Sequence, residues 1–168
     1  GGEKPTSEWT DNETEVREEE TPVAEEETPV MEEEAPAEEL VAEEGMEIML
    51  SATAEVMSAI SYEPKEFTVG AYTNYKLNFV NMASMEGMNH NAIINPIDDK
   101  IADEIRAAGM KAGGPTFDPT DSRIIVKTSM LNPGENTSVV FETPGPGQYY
   151  VICTFPGHKA MVATMTVE

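Results

Sequence analysis

The sequence is poor in the residues from which catalytic and metal clusters are usually built. Its 168 residues contain one cysteine, Cys153, two histidines, His90 and His158, and one tryptophan, Trp9. A lone cysteine excludes an internal disulfide, so cysteine usage leaves the redox compartment open. Basic residues are also scarce, with 10 Lys and Arg against 32 Asp and Glu and a net charge of −22. No basic stretch offers the clustered cations that phosphate contacts need, which argues against nucleic-acid binding. No apolar run approaches the roughly 18 residues required of a membrane-spanning helix.

The acidity is unevenly placed. Residues 1–45 contain 18 acidic and 2 basic residues, a net of −16, whereas residues 46–168 carry a net of −6. Residues 18–38 read EEETPVA, EEETPVM, EEEAPAE, a seven-residue repeat with a proline in each copy at Pro22, Pro29 and Pro36. Proline breaks the helical hydrogen-bond ladder, and the apolar residues are too few for a coiled-coil seam. Dense like charge with little hydrophobicity predicts a disordered acidic tail over residues 1–45, with Trp9 exposed. The tail reads equally as a spacer from an anchor or as a solubilising segment. Residues 46–168 are predicted to form one domain, long enough to bury a core.

Within that domain, residues 46–57 are apolar-rich and fit either strand or helix. Residues 66–69, 75–80 and 91–95 read as strands; in the second, Tyr75, Leu77 and Phe79 alternate with Lys76 and Asn78. Residues 98–108 read as a helix, with Ile97, Ile101 and Ile105 at four-residue spacing and Gly109 as the stop. A glycine-rich loop covers residues 110–121. Strands are then predicted at 124–128, 137–142, 148–155 and 162–167, separated by the Pro133-Gly134 and PGPG turns. Short strands at this spacing predict an all-β sandwich or barrel with one helical insertion.

The chemistry concentrates near the C-terminus, in Cys153-Thr-Phe-Pro-Gly-His158-Lys-Ala-Met161. A thiolate, an imidazole and a thioether lie on one loop between two strands, and Pro156-Gly157 bends the chain so that Cys153 and His158 face a common centre. Two histidines, a cysteine and a weak axial methionine form the ligand set of a blue-copper electron-transfer site. The second histidine must be His90, in GMNHN ahead of the strand NAIIN, because the chain offers no other. Met165 is the rival for the axial position. In VATMTV, however, alternation places it with Ala163 and Val167 on one strand face, as core.

These stretches resemble the azurin and auracyanin type of blue copper protein, the cupredoxins. MNHN before an apolar strand resembles their first-histidine motif, and CTFPGH matches their second ligand loop. DSRIIVKT, the following turn with SVVFE, and GQYYVIC resemble azurin in order and distance. The resemblance covers residues 46–168. It implies a Greek-key β-sandwich with one type 1 copper ion held by His90, Cys153 and His158, with Met161 axial. It also implies that Asn91 ties the two ligand loops together and that backbone N–H groups near Asn91 and in the loop donate to the Cys153 sulfur. The Asn89 backbone carbonyl takes the place of a glycine carbonyl that lies near the copper in azurin as a weak contact. Met88, Met110, Phe155, Pro156 and Ala160 would ring the exposed edge of His158 and form the docking patch for redox partners. The sequence departs from azurin in lacking its disulfide and in having one residue fewer between the second histidine and the axial methionine.

Taken singly, Cys153 would read as a small buried hydrophobe, His158 as a surface residue and His90 as a satisfied core histidine. That both histidines fall in ligand positions favours the metal. The 11 methionines include Met82, Met85 and Met88, whose spacing is too sparse for a copper-storage surface, so most are expected in the core or at an interface. A multicopper oxidase or nitrite reductase needs further histidines, so no enzymatic activity is expected. A Cys–His hydrolase would leave the methionine unexplained. A copper chaperone or a zinc site is the alternative to an electron carrier. The carrier is expected as a monomer outside the cytoplasm, in the periplasm or on the outer face of the cell membrane. The Gly-Gly start and acidic linker fit a lipoprotein whose acylated cysteine lies ahead of them.

Overall fold

The computed structural model describes residues 40–42, 45–53 and 57–168. The acidic repeat and Trp9 lie outside the described residues. Alternating burial sets the first strand: β1 (Glu47–Thr53) hides Ile48, Leu50 and Ala52 and turns Met49 outward. This settles residues 47–53 of the ambiguous segment as a strand, and a 3-10 turn occupies Met57–Ala59. β2 (Ser61–Glu63) was not foreseen; its three residues are too few to show a period, yet it buries Tyr62 completely. β3 (Glu66–Val69) and β4 (Asn74–Asn81) follow as predicted, with Leu77 and Phe79 inward.

After β5 (Ile93–Pro96) comes α1 (Asp99–Ala112). Asp98 caps it, its carboxylate accepting from the Ile101 N–H at 2.9 Å, an interaction worth about 1 kcal/mol. Gly109 does not stop this helix, which runs on to Gly113 at φ +85°. A methyl group at Gly109 would lie 2.8 Å from the Phe117 carbonyl and 2.9 Å from Thr154 Cβ, so the glycine serves close approach and not termination. The helix buries Ala102, Ile105 and Gly109, while Ile97 is exposed, so the isoleucine spacing marks the buried face only in part. The predicted strand at 124–128 shrinks to β6 (Val126–Lys127), followed by β7 (Asn136–Glu142), β8 (Gly147–Ile152) and β9 (Val162–Val167).

The strands form two sheets, ordered β2-β1-β4-β7 and β3-β9-β8-β5-β6. The chain crosses repeatedly between sheets, so two neighbouring pairs, β1 with β4 and β3 with β9, are parallel. Inward residues of both sheets form one core that includes Leu50, Tyr62, Leu77, Phe79, Val151, Cys153, Met161 and Met165. Each large apolar side chain buried there contributes roughly 1.5–3 kcal/mol. Ile93 and Ile152 are paired in register on the second sheet and face the other way, packing on Ala102 and Ile105 of α1. The helix thus covers the outer face of β8, the strand that leads into Cys153. Met165 is core, as alternation predicts, whereas Met49, Met82, Met85 and Met110 are exposed.

Candidate metal centre

His90 sits one residue beyond a loop that is fixed from below. The Asn81 side-chain amide at the end of β4 donates to the Met88 carbonyl at 2.8 Å and the Leu131 carbonyl at 3.1 Å. His90 and Leu131 then exchange two backbone hydrogen bonds, of 3.1 and 2.8 Å. The Tyr62 hydroxyl donates to the Asn91 carbonyl. Cys153 follows directly on β8, and its loop folds by local bonds: the His158 N–H donates to the Phe155 carbonyl at 3.1 Å and the Met161 N–H to the His158 carbonyl at 3.0 Å. Gly157, at φ +88°, takes the left-handed conformation that this tight reversal needs.

Two reciprocal bonds couple the loops. Asn91 Nδ2 donates to Thr154 Oγ1 at 2.9 Å, and the Thr154 N–H donates to Asn91 Oδ1 at 2.9 Å. This is the link expected of Asn91. Thr154 Oγ1 in turn donates to the Phe117 carbonyl at 2.7 Å, which brings in the loop after α1. The result is three convergent donors: ligand atoms of His90, Cys153 and His158 lie within 4.8 Å of one another. Cys153 Sγ and His158 Nδ1 are 3.7 Å apart, and the two imidazole rings lie at 4.8 Å between centroids. All three residues are buried.

The chain matches the model of copper-binding proteins of the plastocyanin/azurin family over residues 47–168. It belongs to that family. Auracyanin-B of Chloroflexus aurantiacus is 39% identical over 113 residues, 65% of this chain and 48% of that protein. The chain therefore spans about half the length of that relative. An azurin of Achromobacter denitrificans is 32% identical over 120 residues, covering 66% of this chain and 78% of the azurin. Among solved structures, the dithionite-reduced auracyanin of the photosynthetic bacterium Roseiflexus castenholzii superposes with a TM-score of 0.67 at 31% identity. That match covers 74% of this chain and 98% of the auracyanin.

The donor set fits the family's copper. Both ring nitrogens of His90 are buried without a hydrogen-bond partner, an arrangement that costs free energy unless an ion takes up the lone pair. One thiol and two imidazoles also make the soft and intermediate set that copper prefers. Burial, with the neighbouring His158 second, lowers the His90 pKa to about 4. Burial likewise lowers that of His158, opposed by a hydrogen bond to the Asn89 carbonyl. Burial raises the Cys153 thiol to about 11, opposed by hydrogen bonds from the Asn91 and Phe155 N–H groups. These two N–H groups are the sulfur donors anticipated from the resemblance. Near neutral pH the imidazoles are ready to coordinate and the thiol must release its proton.

Met161 is buried in the same core cluster as Cys153, and so is Met165. The surroundings of His158 differ from expectation in one respect. His158 is only 1% exposed, because Phe155 lies against it with ring centroids at 4.8 Å. The apolar ring therefore covers the imidazole where an exposed edge was expected. Met110 is exposed, and Met88, Phe155 and Pro156 are partly buried, with Ala160 open to solvent. Sequence reading missed Tyr62, Asn81 and Thr154. Each reaches a backbone carbonyl distant in sequence, those of Asn91, Leu131 and Phe117 in turn, and no local pattern marks such a contact.

Proposed function

We propose that this chain is an electron carrier with a single type 1 copper ion. His90, Cys153 and His158 serve as the strong ligands, Met161 as the axial thioether and the Asn89 carbonyl as a distant contact. Copper bound there supplies a one-electron Cu(II)/Cu(I) couple. The observation that supports this reading most is the convergence of three buried donors that use up both histidines and the one cysteine of the chain. No histidine is left for a second copper centre, so the reading is a carrier and not an oxidase.

The chain's own residues hold the site ready. The reciprocal Asn91–Thr154 bonds keep the two ligand loops in register, so little rearrangement accompanies a change of charge. The Asn91 and Phe155 N–H groups stabilise a thiolate on Cys153. Burial excludes water from the donors. Redox partners dock on the apolar patch of Met88, Met110, Phe155, Pro156 and Ala160, where Phe155 lies between partner and imidazole. A small patch of this kind suits short-lived encounters. The protein acts as a monomer outside the cytoplasm, tethered through the acidic tail by a lipid anchor.

The test is optical and electrochemical. Copper-loaded, oxidised protein is expected to be intensely blue and to bleach with reductant. Cys153→Ser abolishes the colour. Met161→Leu keeps it and raises the reduction potential, because the axial donor to Cu(II) is lost. Copper bound without colour would overturn the carrier reading in favour of a chaperone. An unchanged potential in Met161→Leu would move the axial role to Met165.

A further inference from the structure

The helix α1 carries a cation that the ligand motifs do not include. Arg106 lies on the face turned toward the Cys153–Met161 loop, and its side chain is only 16% exposed. One guanidinium nitrogen, Nη1, meets Asp103 Oδ1 at 3.0 Å, and the other, Nη2, donates to the Lys159 carbonyl at 3.3 Å. Nε is buried without a hydrogen-bond partner. Lys159 is one of the two residues between His158 and Met161, so the guanidinium holds the stretch that joins two proposed ligands. Arginine stays charged at any pH the protein meets.

The charge is not cancelled locally. Asp103 is half in water at 51% exposure and also meets Lys159 Nζ at 3.3 Å. Water screens the carboxylate more strongly than the largely buried guanidinium. Its bond to the Lys159 carbonyl sets that charge next to His158 along the chain. Adding an electron at the copper makes the site less positive, which a nearby cation favours.

We propose that Arg106 is a positioning residue of the copper centre: it pins the ligand loop through the Lys159 carbonyl and sets a fixed positive charge beside the site that holds the reduction potential up. This rests on the copper-carrier reading above. It gives α1, which lies outside the ligand motifs, a part in electron transfer.

Opposite signs provide the test. Arg106→Gln is expected to lower the reduction potential of the copper-loaded protein. Asp103→Asn is expected to raise it, because the cation loses its counter-charge. Arg106→Lys keeps the charge and should remain nearer to wild type than Arg106→Gln. In metal-free protein, amide hydrogen exchange over residues 157–161 should be faster in Arg106→Gln than in wild type. A loop merely loosened by either variant would move both potentials in the same direction. Blue wild-type protein with same-direction shifts, or with none, overturns this inference alone, as does unchanged exchange in the loop. A wild type that binds copper without colour overturns the carrier reading and this inference together.

Discussion

At the scale of single residues, the centre is a set of groups held in the protonation states that their surroundings dictate. His90 is the clearest case. In the folded metal-free chain it titrates near 4, against 6.5 ordinarily, chiefly because burial disfavours the imidazolium. Between those values the unfolded chain binds more protons than the folded one, so stability falls as pH drops through that window. His158 is shifted in the same direction and adds to the effect. Cys153 is raised from 9.0 to about 11, so the folded chain keeps a proton that the unfolded chain loses. Stability therefore also falls as pH rises from about 9 to about 11. Urea unfolding of metal-free protein across pH should show a plateau between about 6.5 and 9 with a decline on either side. Cys153→Ser should remove the decline that starts near 9, leaving the one that the buried Tyr62 imposes above about 10 and the acid one in place.

At the scale of elements, α1 and the ligand strand act as one packed unit. Gly109 is the point of contact, with no room for a side chain between Phe117 and Thr154. Gly109→Ala tests two opposing effects. Helix propensity favours alanine by about 1 kcal/mol. Overpacking against backbone and a Cβ costs about 1–3 kcal/mol, and the 2.8 Å and 2.9 Å approaches place this site toward the upper end. The substitution should thus lower stability by about 1–2 kcal/mol, read as a lower urea midpoint at unchanged slope. Because Thr154 also bonds Asn91, the same change should disturb the link between the ligand loops and shift the blue absorption. A glycine in a predicted helix reads from the sequence alone as a stop signal. Its actual reason is two neighbours brought close by the fold, the Phe117 carbonyl in the following loop and Thr154 in the ligand loop.

At the scale of the whole molecule, copper links the two sheets' cross-connections to stability. The donors come from the chain before β5 and the chain after β8, which meet only in the folded state. An ion that binds the folded chain in preference to the unfolded one stabilises it in proportion to the logarithm of its free concentration over its dissociation constant. Removing copper should lower the melting temperature, and the difference between loaded and metal-free protein should vanish in Cys153→Ser. Differential scanning calorimetry checks both.

Much of this was legible in the sequence because it is local. Alternation in β4 and β9, the isoleucine spacing and acidic first turn of α1 and the nine-residue span from Cys153 to Met161 are all short-range patterns. The scarcity of histidine decided which residues could join the cysteine. Other features could not be read in this way. The three-residue β2 with its buried Tyr62, the parallel pairings, the cover that Phe155 lays over His158 and the grip of Arg106 on the loop all depend on partners far apart along the chain. By itself, then, the sequence determined the donor chemistry and the kinds of element, since these follow from residue identity and periodicity. Tertiary structure alone decided how closely the donors converge, how deeply they are buried and which charges face them, because those are properties of distance and dielectric in the folded chain.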